Sequence, residues 1–274
     1  MSVGVIACCL FFLSVATAGG KKEVLEQPYG ADVANKRAIV NQARQAYYSL
    51  KDRGLLEFQA NVSPNWRLVL KDQIATNPAS AETALKLLNG IHFTVSLGPD
   101  GVVKVTHQAD VAPTNVKVAE GFNQIFTGME QAMSGFFDTW KPFMLSSPFP
   151  DADSDYQLEG LDSQYLLSYK DGTADVATTM SKNLVISEIK VDSPAFKSVL
   201  QPQFIKSPQG LLFTGYDATY REPSGGEGVQ LKVQIDYQQV NGLQLPRKLN
   251  LAGSYQGTPF AMELMFSDYQ VKNH

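Results

Sequence analysis

The residues able to do chemistry are few. His92, His107 and His274 are the three imidazoles, and Cys8 and Cys9 the two thiols. A protein-made metal site needs three or four such ligands converging on one point. His92 and His107 lie on two alternating runs, Ile91 to Leu97 and Val103 to Gln108, joined through Pro99-Asp100-Gly101. Facing like with like sets Leu97 opposite Val103 and Gly98 opposite Val102. The loop is then three residues long with glycine in its left-handed position, a common hairpin connection. In this register Phe93 faces His107, and His92 faces Gln108 on the other side of the sheet. The two imidazoles cannot share a metal, and we expect neither metal nor cofactor.

Carboxylates come next. Asp151, Asp153 and Asp155 copy the first ligands of a calcium loop, but its sixth-position glycine is Tyr156 and its twelfth-position glutamate is Asp162. That run reads as a solvated acidic loop. Glu57, Glu188, Asp217, Asp236 and Glu263 are strand acids, and acids on separate strands can converge for glycoside hydrolysis. On the alternation all five fall on polar faces. The nucleophile elbow, the phosphate loop, the dinucleotide fingerprint and the zinc-protease helix motif are missing from the sequence. We expect no enzyme activity.

The remaining constellation is apolar. Phe122, Phe126, Met129, Met133, Phe136 and Trp140 recur at steps of four and three, which places them on one helix face. Gly121, Ile125, Gly128, Ala132, Gly135 and Thr139 form a second stripe of mostly small residues one position earlier. Such a face is either plain core or the lining of an apolar cavity. Methionine suits a cavity wall, because its flexible thioether adapts to different partners. We take these six bulky residues as candidate ligand-lining positions. Glu120, Glu130 and Asp138 within the run argue against a membrane span.

The elements that must position this helix are strands. From Val229 to Tyr237, apolar residues alternate with Gln230, Lys232, Gln234 and Asp236, the period of a strand wet on one side. Asn241-Gly242 marks a tight hairpin. A second strand carries Leu245, Leu249 and Leu251. After Gln256-Gly257, a third carries Phe260, Met262, Leu264 and Phe266. A one-faced antiparallel meander needs an apolar cover. Four further strands precede it after Tyr156: Tyr165 to Tyr169, Val176 to Met180, Leu184 to Val191 and Leu212 to Tyr220. Towards the N-terminus, Asp32 to Arg53 reads as a helix stopped by Gly54. Leu56 to Val62 reads as a strand broken by Pro64, and a short helix follows with Pro78 near its start, Leu85 and Leu88 on one face and Gly90 after its end. A Pro-rich connector covers Pro142 to Asp155.

Met1 to Ala18 has the apolar core and the Ala16-Thr17-Ala18 ending of a secretory signal. Export would remove both cysteines and leave one domain over residues 19–274. A lipid-anchored reading of Cys8 or Cys9 is weaker, since almost no apolar run precedes them. The 274 residues carry a net charge of −4, and no basic cluster points to nucleic acid. Oligomeric state is not legible.

The closing segment, Asp236-Tyr237, Val240-Asn241-Gly242-Leu243-Gln244-Leu245-Pro246 and Phe266-Ser267-Asp268-Tyr269, resembles the last strands of the outer-membrane lipoprotein-sorting (LolA/LolB-like) superfamily. Ala43-Arg44-Gln45-Ala46-Tyr47-Tyr48 with Leu55 to Phe58 resembles the helix-to-strand junction of secreted bacterial relatives of unknown function. That resemblance implies an α+β, mainly β fold: an incomplete barrel of curved antiparallel sheet covered by a long apolar helix. It also implies a periplasmic or cell-envelope carrier or sensor of lipids or lipoprotein acyl chains, with outer-membrane proteins as further partners. The family's functional arginine is matched by position alone at Arg44, Arg53 and Arg67, and none is assigned the role. The alternative is a protein-interaction module of the envelope with a solid core.

Overall fold

The computed structural model describes residues 30–111, 115–151, 154–223 and 228–274. The signal-like segment and the centre of the acidic loop, Asp153, lie outside them. The fold is mainly β. Twelve strands hydrogen-bond in the order β3-β2-β1-β12-β11-β10-β9-β8-β7-β6-β5-β4, an antiparallel sheet that is not closed. Among the described residues the chain divides into two compact units. One contains Leu50–Lys141 and Val233–His274, and the other contains the residues up to Ser49 with Pro142–Lys232.

In the first unit, β1 (Leu55–Pro64) pairs with β2 (Ile91–Leu97) on one side and β12 (Thr258–Asn273) on the other. Strand β2 pairs with β3 (Val103–Ala109) in the register read from the sequence, with Leu97 opposite Val103 and Phe93 opposite His107. Gly101 takes φ +75° in the connecting loop. Strand β11 (Leu243–Tyr255) pairs with β12 through a Gln256-Gly257 turn with φ +47° and +75°. Asn241 and Gly242 take the same left-handed pair, φ +50° and +82°, after β10 (Val229–Val240). Both are the mirror-image turns whose twist matches antiparallel strands. Three helices, α2 (Trp66–Val69), α3 (Lys71–Thr76) and α4 (Pro78–Asn89), connect β1 to β2. Asn77 caps α4 by accepting from the Ser80 amide at 3.2 Å.

The long helix α5 runs Val116–Met144, past Trp140, the last residue of the stripe, and takes in Pro142 to Met144, which were expected in the connector. Proline lacks one amide donor there, a loss confined to the final turn. Lys141 near this end pairs with Asp138 at 2.8 Å.

In the second unit, β4 (Tyr156–Gly160), β5 (Gln164–Asp171), β6 (Ala174–Ser181), β7 (Ile186–Asp192), β8 (Lys197–Ser207) and β9 (Gly210–Arg221) form a meander. Nine strands run from Tyr156 onward rather than seven, because β4 and β8 were not singled out as strands. Strand β8 holds Pro202, which normally disqualifies an inner strand. It is tolerated because the β7 ladder stops at Leu200, so Pro202 pairs with β9 alone, beside a bulge where Gln203 pairs with Gly215 and Phe204 with Phe213, leaving Thr214 extra, and Gly215 takes φ +150°. The expected strand at Leu184 starts later, at Ile186, since Leu184 sits in the turn with φ +65°. Helix α1 (Gly30–Ala46) stops short of the expected Arg53. Tyr47 leaves it to bridge Leu211, and the Tyr48 amide donates to the Leu211 carbonyl at 2.9 Å.

Candidate functional site

The six helix residues singled out from the sequence all turn inward, five of them to full burial. Met129, Met133, Phe136 and Trp140 are at most 2 % exposed, Phe122 is buried, and Phe126 is half-buried. Phe137, beside the stripe, is buried as well. Magnitudes explain why this helix tolerates Gly121, Gly128 and Gly135. Each glycine costs about 1 kcal/mol against alanine, whereas burying each of the four largest side chains contributes roughly 1.5–3 kcal/mol. Burial wins by a factor of two or more.

Within the first unit, α5 crosses several strands. Phe126 meets Phe93 of β2 with ring centres 6.2 Å apart. Phe137 meets Phe58 of β1 at 6.1 Å and Phe266 of β12 at 6.2 Å, the second edge to face. Trp140 ends the row by donating its indole N–H to Tyr237 Oη of β10 at 3.0 Å. The apolar row thus finishes in a polar group. Next to it, Tyr269 Oη donates to the Pro246 carbonyl at 2.8 Å, and Gln238 Nε2 donates to the Phe266 carbonyl at 3.1 Å. Burial pushes the Tyr269 phenol well up from its ordinary range, and the neighbouring Tyr237 adds to this.

The alternation in β12 did not foretell an inward Tyr269. Leu264 and Phe266 are buried, so strict period two continues to Asp268. Instead Asp268 takes φ +52° and the ladder to β1 slips between Gln59 and Asn61. Asn61 Nδ2 holds the Asp268 carboxylate at 3.0 Å. This bulge moves the inward face from even to odd positions. Phe58 and Tyr269 then meet ring to ring at 5.6 Å. The available signal was the Asn61–Asp268 pairing, which sequence spacing alone cannot show.

In the second unit the centre is Tyr47. Its hydroxyl donates to the Leu184 carbonyl at 3.0 Å and accepts from the Ile186 amide at 2.8 Å. Its ring stands edge to face against Phe149 and Phe204. Phe143 stacks on Phe213 at 4.4 Å. Burial pushes the Tyr47 phenol well up.

The polar candidates do not converge. His107 stacks on Phe126 with centres 3.6 Å apart, and its Nδ1 lies 3.2 Å from Glu130. His92 lies 2.9 Å from Asp110 instead. Glu57 pairs with Lys272, Glu188 with Lys190 and Asp217 with Lys232. Asp236 and Glu263 both approach Lys248, at 3.8 and 3.5 Å. A cation between two partly exposed carboxylates is a surface network. An open groove of about 530 Å³ in the first unit has a mostly polar lining that includes Glu57, Gln59, Lys104 and Lys272. Arg67 is exposed and lies 3.6 Å from Glu82. Arg44 keeps Nε and Nη2 buried without a hydrogen-bond partner.

Compared with known proteins, the chain matches no family model, no curated protein and no solved structure at a significant level.

Proposed function

We propose that the chain is an exported, non-enzymatic binding protein of the cell envelope. In this reading it carries or senses an acyl chain, borne by a lipid or an acylated protein, along the Phe/Met face of α5 in an incomplete β-barrel. The supporting observation is the stripe itself: a continuous Phe/Met wall that ends at the Trp140 indole and the Tyr237 phenol. From Phe122 to Trp140 the helix rises about 27 Å. An acyl chain spanning one leaflet, about 15 Å of hydrocarbon, fits within that length. An amphipathic cargo would set its tail against the methionines and its polar end near the phenol. Methionine side chains re-pack around variable tails at small cost. The resemblance of the closing strands to the lipoprotein-sorting carriers points the same way.

The test is native mass spectrometry of the protein recovered from an envelope fraction. The expected result is a lipid or fatty-acid adduct that leaves on collisional activation. A clean apo mass, together with no fatty-acid uptake by the purified protein, contradicts the reading. The alternative is an interaction module with a solid core. Ring contacts such as Phe136–Phe137 at 4.9 Å and the full burial of Met133 favour it.

A further inference from the structure

Strand β3 ends the sheet order, so its far side has no strand partner among the described residues. Which backbone groups it presents can be worked out. The Gly98 amide donates to the Val102 carbonyl at 3.0 Å, and the Asp110 amide donates to the Gly90 carbonyl at 2.9 Å. In an antiparallel ladder such hydrogen-bonded pairs recur every second residue. The even positions of β3 therefore bond to β2, and the odd positions Val103, Val105, His107 and Ala109 direct their N–H and C=O groups outward. This edge is seven residues long and regular, holds no proline, and carries a single lysine. Edges of that kind template pairing with another strand unless charge or a bulge blocks it.

We propose that β3 is the contact of a symmetric homodimer, in which two copies pair edge to edge about a two-fold axis at His107. The occupant is argued from the charges. Outward groups lie on odd residues, so only registers that oppose odd to odd are allowed. An axis at Val105 would oppose Lys104 to Thr106 of the second copy, and an axis at Thr106 would oppose Lys104 to Gln108, so neither forms a charge pair. Only the axis at His107 opposes Lys104 to Asp110, twice by symmetry. Both residues lie on the same face, at a non-hydrogen-bonded pair, where side chains approach most closely. Lys104 has no ion pair among the described residues and is exposed. Asp110 is 62 % exposed while bonded to His92. The same register sets Val105 against Ala109, both strand residues with outward backbone groups. The contact makes the sheet continuous through two copies, with an isologous patch as closed dimers require.

Sedimentation equilibrium of the purified chain tests this, run on the parent, Lys104→Glu, Asp110→Lys and the double variant. The parent should self-associate in a concentration-dependent way to a dimer and no further. Each single reversal opposes two like-charged pairs and should raise the dissociation constant about tenfold or more. The double reversal restores opposite charges and should return most of that loss. Val105→Pro removes one outward amide without touching the β2 ladder and should abolish the dimer while circular dichroism stays that of the parent. A monomeric parent at high micromolar concentration overturns the proposal, and so does a double variant no tighter than the single ones. The outcome is independent of cargo, because Lys104 and Asp110 lie on the face of β3 opposite His107, which stacks on α5.

Discussion

The Trp140 indole donates a 3.0 Å hydrogen bond to the Tyr237 hydroxyl, joining residues 97 positions apart. It fixes the end of α5 to β10, with the Trp140 ring fully buried and Tyr237 partly exposed. Trp140→Phe removes the donor and part of the buried area. A stability loss of about 1–3 kcal/mol is expected from the missing bond and the lost burial of the indole, read by urea denaturation. A loss below ~0.5 kcal/mol would show that the bond has no structural weight.

Tyr47→Phe keeps the ring contacts with Phe149 and Phe204 but orphans the Leu184 carbonyl and the Ile186 amide. Leu184 takes φ +65°, a conformation that costs energy without glycine. The phenol offsets that cost by bonding both sides of the turn. We expect about 1–3 kcal/mol of destabilisation, with faster amide exchange at Ile186. Unchanged exchange there argues against the clamp.

Gly210 lies where a Cβ would meet Tyr47 backbone carbon at 2.9 Å and the Tyr48 nitrogen at 3.0 Å, with φ +117°. Gly210→Ala therefore forces backbone atoms apart and should cost about 1–3 kcal/mol or more. Gly172→Ala, where no heavy atom lies within 4 Å but φ is +58°, is the control. It should cost less, since it carries strain without collision. Equal losses would mean that the close approach to Tyr47 is immaterial.

Alkaline pH should weaken the fold in a defined window. Tyr169 is pushed up to about 12 by burial and the nearby Asp171 charge. A phenol whose folded pKa is raised binds its proton more tightly when folded, so its contribution is full below about pH 10. It is lost as pH climbs through about 12, and Tyr47 and Tyr269 shift in the same direction. Urea midpoints measured from pH 8 to 11.5 should fall above pH 10, and Tyr169→Phe should flatten the fall. Parallel curves for parent and variant contradict the assignment.

What was legible in the sequence was local. The β2–β3 register followed from matching Leu97 to Val103, and the turns at Asn241-Gly242 and Gln256-Gly257 followed from residue type alone. What failed was set by distant partners. Helix α1 ends early because Tyr47 is drawn to Leu211 and Leu184, over a hundred residues away. Strand β8 was missed because Pro202 reads as a breaker until the bulge beside it is known. The inward stripe of α5 was visible from its spacing. Its polar end was not, since Tyr237 and Tyr269 are brought beside the helix by strand order and by the Asp268 bulge.

The central claim is that the Phe/Met face of α5 receives an acyl chain. Titration of the purified protein with a fluorescent fatty acid tests it directly, on the parent and on Met133→Trp, with each variant's stability followed by urea denaturation. Saturable uptake by the parent, reduced about tenfold or more by Met133→Trp while the fold persists, is the predicted result. No uptake by the parent, with Met129→Ala costing the 2–5 kcal/mol typical of a solid core, contradicts it.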